Sequence, residues 1–164
     1  MKLLQPTEIV DSIYDIDLHL LKQKGIKGII TDLDNTLLAW RSREISTMLE
    51  QWVKEVREAG LKIAIVSNNS SSRVEQLSAQ LGVISIAKAI KPRRGAFRSI
   101  ATQFNLTAQE LAVVGDQLFT DILGGNRAGM YTILVTPISK HEFVGTKVMR
   151  LAENIFLHRN KTKS

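Results

Sequence analysis

The chain has 164 residues, 44% of them hydrophobic and 23% charged, which suits one globular domain and is too apolar for disorder. It has no cysteine, so disulfides, zinc–thiolate sites and thiolate nucleophiles are excluded. The net charge is +6, and from Ser139 onward six bases (Lys140, Lys147, Arg150, Arg159, Lys161, Lys163) face two acids (Glu142, Glu153). Such an end is either a solubilising tail or a contact with an anionic partner: a membrane surface, nucleic acid or an acidic protein. No apolar run is long enough to span a membrane, and MKLLQPTEIV lacks the apolar centre of a signal peptide. The expectation is a cytoplasmic protein, with the basic end available for peripheral contact at the inner membrane face.

In chain order, five short segments rich in Ile and Val read as buried strands: 28–33, 61–66, 84–89, 111–114 and 131–135. Helix-period segments lie between them. Glu44 to Ala59 repeats apolar residues at helical spacing, with Gly60 as a stop. Ser72 to Leu81 opens on Ser72 and Glu75 as a capping box and ends at Gly82. Pro92 to Phe104 begins with Pro at a first helical position, and Asn105 can close it. Asp121 to Ala128 follows, with Thr120 as its cap and Gly129 as its stop. Strand alternating with helix means a parallel α/β sheet with right-handed crossovers. The expected domain organisation is a core over 1–138 with an N-terminal extension, then a basic helix and tail over 139–164.

Function in such sheets sits at the carboxyl ends of the strands. The first strand ends in Asp32-Leu33-Asp34-Asn35-Thr36, where i, i+2 spacing in extended chain aims both carboxylates one way. Two adjacent carboxylates repel, so the pair calls for a cation or a shared proton. The second strand ends in Ser67-Asn68-Asn69, the third is followed by Lys91-Pro92, and the fourth ends in Gly115-Asp116 with Asp121 five residues on. Clustered carboxylates suit a hard cation such as Mg²⁺. A lysine with hydroxyl and amide donors suits a phosphoryl group. Each signal alone is as readily a turn former or helix cap; their arrival in order on successive strand ends is what carries weight.

The motif Asp32-Leu33-Asp34-Asn35-Thr36-Leu37 resembles the first motif of haloacid dehalogenase-type phosphatases. Ser67 falls at that superfamily's second motif and Lys91 at its third. Gly115-Asp116-Gln117-Leu118-Phe119-Thr120-Asp121 resembles the fourth motif in its IIIA-type form. Ser12-Ile13-Tyr14-Asp15-Ile16-Asp17, Gly25-Ile26-Lys27-Gly28 and Glu142-Phe143-Val144-Gly145-Thr146-Lys147 are similar, more narrowly, to the YqeG family, itself similar to phosphatidylglycerophosphate phosphatases. The resemblance implies a Rossmann-like core of about five parallel strands flanked by helices. It implies Asp32 as nucleophile and Asp34 as general acid and base. It implies Mg²⁺ held by Asp32, the backbone carbonyl of Asp34, Asp116 and, directly or at one remove, Asp121. Ser67, Asn68 and Lys91 would bind the phosphate oxygens, with help from the N–H groups of Leu33 and Asn68.

Thirty residues separate Thr36 from Ser67, and 23 separate Ser67 from Lys91. Each gap holds one crossover helix and no cap domain. An open site favours a large or surface-presented substrate: a phospholipid headgroup, a phosphoprotein or a nucleic-acid end. Val144, Val148, Leu151 and Ile155 form a stripe that reads as a terminal helix packed on the domain or as a membrane- or partner-binding helix. Lys88, Lys91, Arg93, Arg94 and Arg98 form a second basic cluster. His19, His141 and His158 lack metal spacing, Gly124-Gly125 reads as close helix packing, and Trp40 and Trp52 read as packing residues, with Trp40 near the site. The competing reading is a non-catalytic basic adaptor for RNA, ribosome or membrane on a phosphatase fold. Retention of both Asp32 and Asp34 argues against it.

Overall fold

The computed structural model describes residues 2–139 and residue 154. Its six strands are β1 (Glu8–Val10), β2 (Gly28–Thr31), β3 (Lys62–Val66), β4 (Ile84–Ile86), β5 (Leu111–Gly115) and β6 (Tyr131–Val135). They form one parallel sheet in the order β1-β6-β5-β2-β3-β4. Five strands match the expected segments. The sixth, β1, falls within the stretch expected to be an extension. It has three residues and pairs with β6 at the sheet edge, Glu8 opposite Ile133. Thr7 ties it down further, with its N–H donating to the Thr132 carbonyl at 2.9 Å.

Among residues 2–139, five α-helices cover the sheet: α1 (Leu18–Gln23), α2 (Thr47–Glu58), α3 (Ser71–Leu81), α4 (Gly95–Phe104) and α5 (Leu123–Arg127). Strand side chains alternate between two layers, as a sheet buried on both faces requires. Ile63, Ile65, Ala112 and Val114 pack with Leu49, Trp52, Val53 and Val56 of α2 and with Val74, Leu77 and Leu81 of α3. Ala64, Val66, Leu111 and Val113 pack with Ala96, Phe97, Ile100 and Phe104 of α4. Gly124 and Gly125 do serve close packing. A Cβ on Gly124 would stand 2.5 Å from Phe97, and one on Gly125 would stand 2.7 Å from Thr132.

Several helix starts depart from expectation, while two helix ends follow it. The cap of α2 is Ser46, whose Oγ accepts from the Leu49 N–H at 3.0 Å. Ser72 lies inside α3, behind an N-cap at Ser70, so no Ser72–Glu75 box forms. Pro92 follows a cis peptide and precedes α4 by a turn instead of starting it. Asn105 at φ +54° and Gly82 at φ +68° close their helices in the left-handed conformation, as expected. Thr120 does not cap the last helix: the chain first makes a wide turn over Leu118–Ile122, with Gln117 as its cap. Ser12 and Asp17 both act locally, Ser12 bonded to Asp15 and Asp17 capping α1 at the Leu20 N–H, 2.9 Å away.

Among the described residues, the connections from β2 to β3 and from β3 to β4 hold one helix each, α2 and α3, and no cap domain. No helix there is long and apolar enough to cross a membrane. Apart from Asn154, which is helical, the expected C-terminal helix lies outside the described residues.

Candidate active site

All six strands run the same way, so the segments leaving β2, β3, β4 and β5 emerge at one edge. From β2 the chain proceeds to β3 on one side, while β5 lies on its other side. Asp32 therefore leaves the sheet at the point where strand order reverses, where ligand crevices open in such folds. The Asp32 N–H still bonds the Val114 carbonyl at 3.0 Å. This holds the residue against β5, and so beside Asp116.

The ladder ends there, and the two-residue alternation ends with it. Asn35 turns the chain at φ +61°, a conformation that asparagine tolerates better than most residues. Its N–H donates to the Leu38 carbonyl at 2.7 Å, and its side-chain oxygen accepts from the Ser139 N–H at 3.0 Å. Asp32 and Asp34 consequently have separate partners. The Asp32 Oδ1 accepts from Lys91 Nζ at 3.0 Å. Asp34, 4% exposed, pairs with Arg73 at 2.8 Å and accepts from the Arg41 N–H at 3.0 Å and from the Asn69 side chain. The sequence expectation that both carboxylates point one way is corrected here, because the extended geometry it rests on stops at Thr31.

Lys91, 7% exposed, is the hub. Its ammonium donates to Asp32 at 3.0 Å, to Asp121 at 2.6 Å and to the Val66 carbonyl at 3.0 Å. These bonds account for all three of its protons. Burial acts to lower its pKa, but the charges of Asp121 and Asp32 outweigh burial, so the net direction is upward and the group stays cationic. Asp121 is pushed up to about 6, first by burial and further by the Asp32 charge, against the opposing pull of Lys91.

Asp32, Asp116 and Asp121 each offer an oxygen within 4.8 Å of the others. Oxygens on one octahedral ion with ~2.1 Å bonds lie ~3–4.2 Å apart, so small side-chain adjustments bring all three onto one divalent cation. The donor set is hard and anionic, with Asp116 and Asp121 buried, which fits such an ion. The Asp34 carboxylate is outside the cluster; the resemblance assigns its backbone carbonyl to the ion, and that atom is independent of where the carboxylate turns. The Thr36 Oγ donates to Asp116 Oδ1 at 3.1 Å and joins the β2 end to the β5 end. Gly115 is equally specific: a Cβ there would lie 2.2 Å from the Asp121 carboxylate.

Ser67 is fully buried, and its Oγ accepts from the Asn69 N–H at 3.1 Å, which shapes the turn after β3. Asn68 clamps the lysine backbone. Its Oδ1 accepts from the Lys91 N–H at 2.7 Å, and its Nδ2 donates to the Lys91 carbonyl at 3.3 Å. Lys88, Arg93, Arg94 and Arg98 are exposed, so only Lys91 of that basic cluster enters the site. Trp40 is half-buried, with its N–H on Ser139 Oγ at 3.0 Å, while Trp52 is in the core. Arg73 was missed from sequence. An arginine in the first turns of an amphipathic helix reads as part of a solvated face, and nothing local marks it as reaching back to Asp34.

Residues 1–139 match the family described as Mitochondrial PGP phosphatase. The chain is 42% identical over 162 residues to "Probable phosphatase YqeG" of Bacillus subtilis (strain 168), covering 99% of this chain and 94% of that protein. It is 35% identical over 147 residues to the chloroplastic/mitochondrial phosphatidylglycerophosphate phosphatase 1 of Arabidopsis thaliana, covering 83% of this chain and 42% of that longer protein. In fold it is similar to the cobalt-bound deoxy-D-mannose-octulosonate 8-phosphate phosphatase of Haemophilus influenzae, with a TM-score of 0.55 at 21% identity over 68% of this chain and 69% of that one. The chain thus belongs to the PGP phosphatase family and is a phosphatase.

Proposed function

We propose that the protein is a Mg²⁺-dependent phosphomonoester hydrolase that works through an aspartyl-phosphate on Asp32, and that phosphatidylglycerophosphate is its substrate. The observation that carries the chemistry is the joining of Asp32, Asp116 and Asp121 within 4.8 Å around a buried lysine at the switch point. The substrate rests on the two plastid relatives, both phosphatidylglycerophosphate phosphatases, each with about half its length spanned by this chain.

An Asp32 oxygen attacks phosphorus, an O–P bond forms, and the bond to the leaving alcohol breaks as Asp34 gives that oxygen a proton. Asp34 then takes a proton from water as the water attacks phosphorus, which frees Asp32 and inorganic phosphate. Asp32, Asp116, Asp121 and the Asp34 carbonyl would hold Mg²⁺, which would supply positive charge to offset repulsion between nucleophile and phosphate. Lys91 orients Asp32 and adds a fixed cation for the phosphate oxygens, with Ser67 and backbone N–H groups of the β3 turn. Asn68 serves chiefly by fixing Lys91.

The test is Asp32→Asn, assayed on phosphatidylglycerophosphate in micelles with Mg²⁺ and again in excess EDTA. A loss of at least ~10³ in kcat, about 4 kcal/mol of barrier, is expected with an unchanged circular-dichroism spectrum. Chelation should stop the wild type. Near-wild-type turnover by the variant, or full activity in EDTA, would sink the mechanism. Rapid wild-type hydrolysis of other monoesters with none of the lipid phosphate would sink the substrate assignment alone.

A further inference from the structure

Both oxygens of the Asp34 carboxylate are held by donors. Arg73 Nη1 lies 2.8 Å from Oδ1 and 2.9 Å from Oδ2. The Arg41 N–H gives Oδ1 a second bond at 3.0 Å, and the Asn69 side chain gives Oδ2 a second. Arg73, in the first turn of α3, turns its other edge to the loop after β2. Its Nε donates to the Ser42 carbonyl at 3.1 Å, and its Nη2 donates to the same oxygen. One guanidinium thus ties the carboxylate to α3 and to the loop that carries Arg41. With 11% of the Arg73 side chain and 4% of the Asp34 side chain exposed, the pair is nearly shut off from solvent. Stability alone is a weak account of it, because an apolar pair of similar volume often fills such a place as well or better. Both residues also line a cleft of about 540 Å³, with Trp40, Asn69 and Ser70. The pair therefore faces a space that a substrate group can enter.

Resting on the mechanism above, Asp34 must give its proton to the leaving oxygen along one direction. Its side-chain torsions leave several directions open, and the strand that would have aimed it ends at Thr31. The donors select one. We infer that Arg73 is the positioning residue for Asp34: it aims the carboxyl at the leaving oxygen and touches no reacting atom itself. The bridging contact suits this task. Because Nη1 reaches both oxygens, one of them can let go to carry the proton while the other keeps the arginine. A lysine in that place would keep the charge on a flexible stem but lack the planar fork that spans Asp34 and Ser42. The role belongs to the geometry of the guanidinium as well as to its charge.

The experiment measures kcat/KM on dinitrophenyl, p-nitrophenyl and phenyl phosphate with Mg²⁺. It uses wild type, Asp34→Asn, Arg73→Gln, Arg73→Lys and the double variant Asp34→Asn/Arg73→Gln. Since kcat/KM stops at departure of the phenol, the later hydrolysis of the phosphoenzyme does not enter. Phenolate is a poor leaving group and needs the proton, whereas dinitrophenolate leaves without it. Arg73→Gln should therefore widen the gap between dinitrophenyl and phenyl phosphate by at least ~10-fold over wild type. Asp34→Asn should widen it at least as far, and the double variant should go no further than Asp34→Asn. Arg73→Lys should fall between wild type and Arg73→Gln. An unchanged gap in Arg73→Gln, with rates lowered alike on all three esters, overturns the inference and assigns Arg73 to folding or to phosphate binding. A double variant with a wider gap than Asp34→Asn overturns it too, because Arg73 then acts through another group. If Arg73→Gln lacks a native circular-dichroism spectrum, Arg73→Lys decides, since it leaves Asp34 a cation, and a wild-type gap there overturns the inference. If Asp34→Asn itself leaves the gap unchanged, the acid role in the proposed function fails and takes this role of Arg73 with it. If only the arginine variants leave it unchanged, the inference fails alone.

Discussion

Asp121 holds a proton more readily in the fold than in the unfolded chain, because burial and Asp32 raise it from 3.8 to about 6 while Lys91 opposes them. The sign of the pH effect follows. Between pH ~4 and ~6 the folded state binds a proton that the unfolded state has released, so stability falls as pH rises through this window and levels off above it. At ~1.4 kcal/mol per unit the upper bound is about 3 kcal/mol. Urea unfolding of the metal-free protein should lose that much more between pH 4 and pH 6.5 for wild type than for Asp121→Asn, which has no carboxyl to titrate. Parallel pH profiles would show that Lys91 neutralises the burial cost at every pH. Most residues of this scale were legible beforehand: Asp32, Ser67, Lys91, Asp116 and Asp121 all reach the strand-end edge. Asp34 reaches it too, but points elsewhere, because alternation cannot be extrapolated past the last ladder bond. Asn68 looked like a phosphate donor and is spoken for by Lys91, a pairing across 23 positions that sequence spacing does not reveal.

At the scale of elements, β5 and the turn after it are built around one close approach. A Cβ on Gly115 would lie 2.2 Å from Asp121 Oδ2 and 2.4 Å from its Cβ. The second atom belongs to a side chain held by Lys91 and by the Gln117 N–H, so it cannot swing clear. Gly115→Ala should therefore cost about 1–3 kcal/mol of stability in urea titration. It should also raise the Mg²⁺ concentration for half-maximal rate, since relief moves Asp121 off the cluster. A variant with wild-type stability and metal dependence would mean that the turn relaxes freely. Strand ends were less legible than strand centres. The apolar run through Leu33 continues past the point where hydrogen bonding stops, since Leu33 is buried in the core as a loop residue. β1 was missed because three residues, with Ile9 exposed at the edge, leave no periodic signal.

For the whole molecule, the question is how a site with no cap domain among the described residues selects its substrate. The basic residues Lys140, Lys147, Arg150, Arg159, Lys161 and Lys163, all outside the described part, supply charge that a test on anionic vesicles can weigh. Each base near an anionic membrane contributes about 1 kcal/mol. Neutralising Arg159, Lys161 and Lys163 should weaken sedimentation with anionic vesicles and slow turnover of vesicle-borne lipid phosphate. Hydrolysis of a soluble aryl phosphate should stay the same. The vesicle effect should fade with salt, because screening at 0.15 M acts over about 8 Å. Equal slowing of both substrates would identify a folding contribution instead.

What the sequence determined by itself was the class of fold and the chemistry at its edge. Apolar runs alternating with helix-period segments permit only a parallel sheet covered on both faces, and four motifs in order assign carboxylates and a lysine to its strand ends. These properties are local and periodic, so they survive being read one residue after another. Tertiary structure decided which side chains meet. The ammonium of Lys91 joins Asp32 and Asp121 across separations of 59 and 30 residues, Thr36 holds Asp116 across 80, and Arg73 takes Asp34 across 39. Such contacts are fixed by strand order and by the hydrogen-bonding needs of buried polar groups, which must be met by whichever partner the sheet brings near. The order β5-β2-β3 brings three chain segments to one point, and nothing in the linear pattern states that order.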